Sequence, residues 1–122
     1  SIDIDNLSFS AEINNYAFNN SCFEENGLIY LPLEILFIIT PVNLDDPNVY
    51  LPFYIAILDA KENLKEIYYY SIDAKVLKDE DAQKYIESEI SESILVKLPN
   101  DIEMSSLLVG FMLNNEKYKI LN

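Results

Sequence analysis

The sequence predicts an all-β chain built as two stacked antiparallel sheets. Three observations carry that reading. Apolar residues recur at every second position in several runs, the period of a half-buried strand. β-Branched and aromatic residues fill those runs. Turn signals fall between them at short intervals, with five prolines and two glycines as the main punctuation.

Taken in order, Phe9, Ala11 and Ile13 alternate with Ser8, Ser10, Glu12 and Asn14, which predicts the first strand. Asn14-Asn15 and Asn19-Asn20 suit turns or bulges, and Tyr16 and Phe18 continue the strand on the same side. Asn26-Gly27 predicts a tight hairpin, because this pair supplies the positive φ that such a turn needs. The strand that follows places Ile29, Leu31, Leu33, Ile35, Phe37 and Ile39 on one face and a mixed set, Leu28 to Ile38, on the other. Pro32 predicts an edge or a bulge there, since proline cannot donate to a ladder. Thr40 to Asn48, with Pro41 and Pro47, reads as a loop crossing between sheets.

Leu51, Phe53, Ile55 and Ile57 line the next strand, with Pro52 again suggesting an edge or a strand start. Asp59 to Asn63 makes its turn, and a strand from Lys65 to Lys78 follows. Tyr68, Tyr70, Ile72, Ala74 and Val76 form the more apolar face of that strand. Lys78 to Lys84 reads as a charged loop. Ile86, Ile90, Ile94, Val96 and Leu98 then share one face with Ser88 and Glu92. A helix over Asp79 to Leu98 competes on propensity, but the isoleucines and the period of two favour strand. Pro99-Asn100-Asp101 breaks the chain. Leu107, Val109, Phe111 and Leu113 give a last strand, with Gly110 a bulge or close-packing site. Asn114 caps a short helical turn over 115–120. The sum is about seven strands in an immunoglobulin-like sandwich. With neither repeats nor a linker, residues 1–122 form a single β-sandwich domain.

Length agrees: a chain of 122 residues buries roughly two-thirds of its unfolded surface, enough for one core. Charge is more decisive. Formal net charge is −13, from 21 acidic residues against 8 basic ones, all lysine, and histidine is absent. Such a field repels nucleic acid and anionic lipid. Lack of histidine removes the imidazole base, ligand and pH switch, and lack of arginine removes the bidentate fork for anions. An AT-rich genome is the plainer reading of the missing arginine, given the abundant Lys, Asn, Ile and Tyr. Cys22 stands alone, so no internal disulfide forms. It reads as a buried small hydrophobe rather than a reactive thiol, lacking a cationic neighbour. No apolar run reaches transmembrane length. The chain begins at Ser1 without a signal peptide, as a mature or trimmed product is expected to.

Catalytic and metal constellations find little support. Asp3-Ile4-Asp5-Asn6, Asp45-Asp46 and Asp79-Glu80-Asp81 are carboxylate clusters without the spacing and glycine of a calcium loop, and they read as solvated acids. Glu87 and Glu89, roughly 6–7 Å apart on one strand face, have the residue types of a glycoside hydrolase. Outward acids on an edge strand are the plainer reading. No serine or cysteine nucleophile has a partner base, and no phosphate loop occurs. No cofactor, metal ligand or catalytic residue is expected. The tyrosines are the candidate binding surface. Tyr68, Tyr69 and Tyr70 divide between two faces, and Tyr50 and Tyr54 lie on the neighbouring strand. Such residues suit a protein interface or sugar stacking, or simply fill strands well.

Several short motifs carry a family resemblance. Pro52-Phe53-Tyr54-Ile55-Ala56-Ile57-Leu58-Asp59, the acidic stretch from Glu87 to Pro99, and Val109-Gly110-Phe111-Met112-Leu113 lie in this order, preceded by Phe9-Ser10-Ala11-Glu12-Ile13 and Ser21-Cys22. Together they resemble a family of small, uncharacterised alphaproteobacterial periplasmic lipoproteins, over most of the chain from about Phe9. The resemblance implies a soluble module in the periplasm, tethered to the outer membrane through an N-terminal lipidated cysteine. Cys22 lies inside the domain, so that anchor is not in this sequence. The family supplies no reaction.

The expected function is therefore a non-catalytic cell-envelope module, not an enzyme, that contacts another protein. It would act by strand addition at a proline-marked edge or through the tyrosine-bearing face. A small-molecule or glycan binder using that face is the alternative, and a hydrolase on Glu87 and Glu89 a remote one. A cytoplasmic location is the alternative to the periplasm.

Overall fold

A computed structural model describes residues 2–5, 8–18 and 21–112, with the backbone alone for 2–5. The described chain is all-β and antiparallel, without a helix. Its strands are β1 (Ile2–Asp5), β2 (Phe9–Phe18), β3 (Phe23–Glu25), β4 (Leu28–Pro41), β5 (Asn48–Leu58), β6 (Leu64–Lys75), β7 (Lys78–Asp79), β8 (Lys84–Tyr85), β9 (Ser88–Pro99) and β10 (Ser106–Phe111). These ten exceed the roughly seven expected. Among the short strands that the alternation does not single out are β1, the three-residue β3, and β7 with β8, which pair where a plain charged loop was expected. The helical turn expected over 115–120 lies outside the described residues.

The larger sheet runs β1-β2-β4, with β9 on the far side of β4 and β3 sharing the near side with β2. A three-stranded sheet runs β10-β5-β6. The β3–β4 hairpin closes at Asn26 (φ 53°) and Gly27 (φ 79°), the mirror-image turn expected for Asn-Gly. In β2 the register shifts between Ile13 and Asn15. This bulge brings Tyr16 and Phe18 back to the side of Ile13, since otherwise they would face the opposite way.

Pro32 and Pro52 correct an expectation, for both sit on central strands. Each is tolerated because its neighbour on one side stops there. Asn100 N–H donates to the Gly27 carbonyl, so odd-numbered residues of β4 direct their backbone groups at β9 and even-numbered ones face β3 and β2. Pro32 thus faces the gap between Tyr30, the last residue paired with β3, and Leu33, the first paired with β2. Pro52 faces β10, just past the terminal Phe53–Phe111 pair, and its carbonyl still accepts from Met112 N–H.

Period-two burial places one apolar face of each sheet in a shared cluster. Ile35, Phe37 and Ile39 of β4 meet Phe53, Ile55 and Ile57 of β5, all fully buried. The Phe37 ring packs edge-on against Phe53 at 5.3 Å and tilted against Phe111 of β10 at 5.9 Å. Burying one such side chain contributes about 1.5–3 kcal/mol. On one flank Tyr16 of β2 donates a long hydrogen bond to the Leu107 carbonyl of β10, 3.5 Å. On the other, the buried Ser88 hydroxyl accepts from Leu77 N–H (2.8 Å) and donates to the Ile86 carbonyl (3.0 Å). That contact ties the end of β6 to the start of β9. Cys22, expected to be buried, is exposed. It lies just before β3, a short strand with no buried residue of its own.

Candidate binding face

The five tyrosines divide by strand parity. Tyr68 and Tyr70 turn inward, opposite Ile55 and Phe53. The Tyr70 ring stacks on Phe53 at 5.5 Å. Burial raises both phenols above their ordinary 10.0, with the Glu66 charge and Tyr70 adding to the effect on Tyr68. These two rings are packing residues. Tyr50, Tyr54 and Tyr69 turn outward, and only they can meet a partner.

Tyr54 and Tyr69 are directly opposite across β5 and β6. On its other side Tyr54 lies opposite Gly110 of β10, and its ring covers that glycine. A Cβ on Gly110 would stand 2.8 Å from Tyr54 Cε1 and closer still to its hydroxyl end. Gly110 is therefore the close-packing site, allowing a ring to lie flat on the backbone. Tyr69 and Tyr50 are 62% and 61% exposed. Leu108, also outward, is 39% exposed, while Ala56 between Leu108 and Ile67 is buried.

Charge is nearly excluded from this face. From Tyr50 to Leu58 on β5, Ile67 to Ser71 on β6 and Leu108 to Gly110 on β10, every outward residue is uncharged. Asp73, opposite Tyr50, and Lys75 sit at one end. At the other end stands the Asp59 turn. Its Oδ1 accepts from the N–H groups of Lys61 (2.8 Å) and Asn63 (2.9 Å), and its Oδ2 from Asn63 Nδ2 (3.2 Å). Lys65 Nζ stands 3.6 Å from Oδ2. Hydrogen bonding to the Asn63 backbone, against some desolvation, holds this carboxyl below the ordinary aspartate value of 3.8. Asp59 orders the loop, and its lone pairs are already engaged there.

Glu87 and Glu89 do not share one strand. Glu87 precedes β9 and accepts from the Thr40 hydroxyl at 3.2 Å. Glu89 lies opposite Ile38. Both are exposed. Among the described residues no three acidic or cysteine side chains gather as a metal site would require. Sequence reading missed Gly110 as the seat of Tyr54. The signal was present, in a small residue placed within an apolar strand, but its partner is remote in sequence.

No protein-family model, curated protein or solved structure matches this chain.

Proposed function

We propose that this chain is a non-catalytic module of the cell envelope that binds a partner protein through the outer face of its three-stranded sheet. Tyr50, Tyr54 and Tyr69 make the contact. The observation that carries this is the uncharged, tyrosine-bearing surface on a chain of net charge −13. Solubility favours charge on exposed strands, so its absence over three adjacent strands needs a reason, and a covered face supplies one. The resemblance to periplasmic lipoproteins supports the periplasmic placement and the tether. We read residues 1–122 as one domain and the two facing sheets as a sandwich. Its first four strands all lie in the larger sheet, whereas an immunoglobulin domain moves its third strand across. The likeness to that fold is thus one of layers and not of strand order.

A glycan reading draws on the same Tyr54–Tyr69 pair. It is the weaker one, because sugar sites set hydrogen-bonding groups beside the ring. The positions flanking this pair along the strands are Pro52, Ala56, Ile67 and Ser71, of which only Ser71 has a polar side chain. The test is a Tyr50→Ser/Tyr69→Ser double variant used as bait in crosslinked envelopes, beside a Glu34→Lys/Glu89→Lys variant of the opposite sheet. The proposal expects the first to lose the partner recovered by the parent chain and the second to keep it. Equal recovery by both would refute it. Binding to a sugar array that depends on Tyr69 would favour the glycan reading.

A further inference from the structure

The free edge of β6 is the second unexplained feature, and it is independent of what covers the tyrosine face. Among the described residues β6 pairs only with β5. Met112 N–H donates to the Pro52 carbonyl and Ser105 N–H to that of Leu58, so even-numbered residues of β5 face β10 and odd-numbered ones face β6. With Phe53 opposite Tyr70 and Ile55 opposite Tyr68, even-numbered residues of β6 bond to β5. Ile67, Tyr69, Ser71 and Asp73 then direct their N–H and C=O groups outward, with no described strand beside them.

Edges of this length are normally guarded by charge, proline or a bulge. β9, the corresponding edge of the larger sheet, carries Glu89, Glu92, Lys97 and Pro99 along its length. β6 holds its charges and its one bulge, at Lys65, near the ends. Between Glu66 and Asp73 runs Ile67-Tyr68-Tyr69-Tyr70-Ser71-Ile72, uncharged, without Pro or Gly and in unbroken register. That composition favours strand pairing strongly.

We propose that β6 pairs antiparallel with β6 of a second copy of this chain, joining two three-stranded sheets into one of six strands. A two-fold contact needs a self-complementary edge, and charge selects the register. Only odd-numbered residues offer free backbone groups, so the pairing must set odd opposite odd. Centring it on Tyr69 places Tyr69 opposite its own copy and Ile67 opposite Ser71. It also sets Lys65 opposite Asp73 twice, opposite charges on both sides of the axis. Moving the centre to Tyr70 sets Lys65 against Lys75, and moving it to Ser71 sets Ile67 against Lys75. Lys65 is available, since its 3.6 Å approach to Asp59 is longer than a direct hydrogen bond. A single strand pair buries little area and belongs with weak, transient contacts. At physiological ionic strength a Debye length of about 8 Å screens the remaining acidic surface of each copy.

Sedimentation equilibrium of the whole chain, up to about 1 mM, reads the association. The expected result is a monomer–dimer equilibrium. Lys65→Glu and Asp73→Lys each weaken it at least about fivefold, and the two together restore it within about twofold, in line with cross-strand charge pairing. Register is read in a Cys22→Ser background by oxidation. Tyr69→Cys should give a covalent dimer, because opposed hydrogen-bonded Cα atoms lie about 5.5 Å apart. Ser71→Cys should not. A chain that stays monomeric throughout, or a Ser71→Cys variant that crosslinks as readily as Tyr69→Cys, would overturn the proposal.

Discussion

The outer faces of the two sheets differ although both cover the same core. On the larger sheet, Glu12, Glu34, Glu89 and Lys97 are spaced among Tyr30, Leu36 and Ile38. Ser91 donates to Glu34 at 2.9 Å. Phe23 stacks on Tyr30 at 4.9 Å, and Lys97 Nζ lies 5.9 Å from the Tyr30 ring centre. Its apolar groups are thus broken up by charge or stacked on one another. The three-stranded sheet has no such interruption between Tyr50 and Leu58. Mixed charge is what a strand surface needs to stay solvated and unpaired. The larger sheet follows that pattern and the smaller departs from it, and the proposed contact rests on that departure.

The largest effect should come from the shared core, where the sheets do not differ. Phe37→Ala removes a ring touching both β5 and β10 and should cost about 3–5 kcal/mol in urea unfolding, with both sheets lost in one transition. Gly110→Ala comes next and acts on the smaller sheet alone. Its Cβ collides with the Tyr54 ring, so the ring must swing off the backbone at about 1–3 kcal/mol. Nuclear Overhauser contacts between Tyr54 and residue 110 should disappear while those of Phe23 with Tyr30 persist. Acid separates the sheets more gently. Folding lowers the Asp59 pKa, so its contribution is fully present above the ordinary unfolded value of 3.8. It is lost as pH falls through the lower folded value. Amide exchange in the turn from Asp59 to Asn63 should quicken over that range. The Asn26-Gly27 turn, shaped by backbone conformation and not by a carboxylate, should hold.

Much of this was legible in the sequence. Asn26-Gly27 announced its turn because few other pairs reach positive φ so readily, and the inward faces of β4, β5 and β9 followed from alternation alone. The outward direction of Tyr50, Tyr54 and Tyr69 was implicit in the same parity. What stayed hidden depended on neighbours. Pro32 and Pro52 suggested edges because a sequence does not show where an adjoining strand ends. In β1 the acids mask the pattern, though Ile2-Asp3-Ile4-Asp5 alternates as a strand does and pairs with Ser10 to Ile13. Cys22 suggested burial from its apolar company, and exposure followed from the shortness of β3. The absence of charge on one face became visible only when strands distant in sequence lay side by side.

The most direct test of the central claim is a photocrosslinking scan in intact cells, with a photoreactive residue placed singly at Tyr50, Tyr69 and Leu108 on one sheet and at Glu34, Glu89 and Ser93 on the other. The first three positions should trap a common partner and the second three should not. Crosslinks confined to the larger sheet, or spread evenly over both, would contradict it.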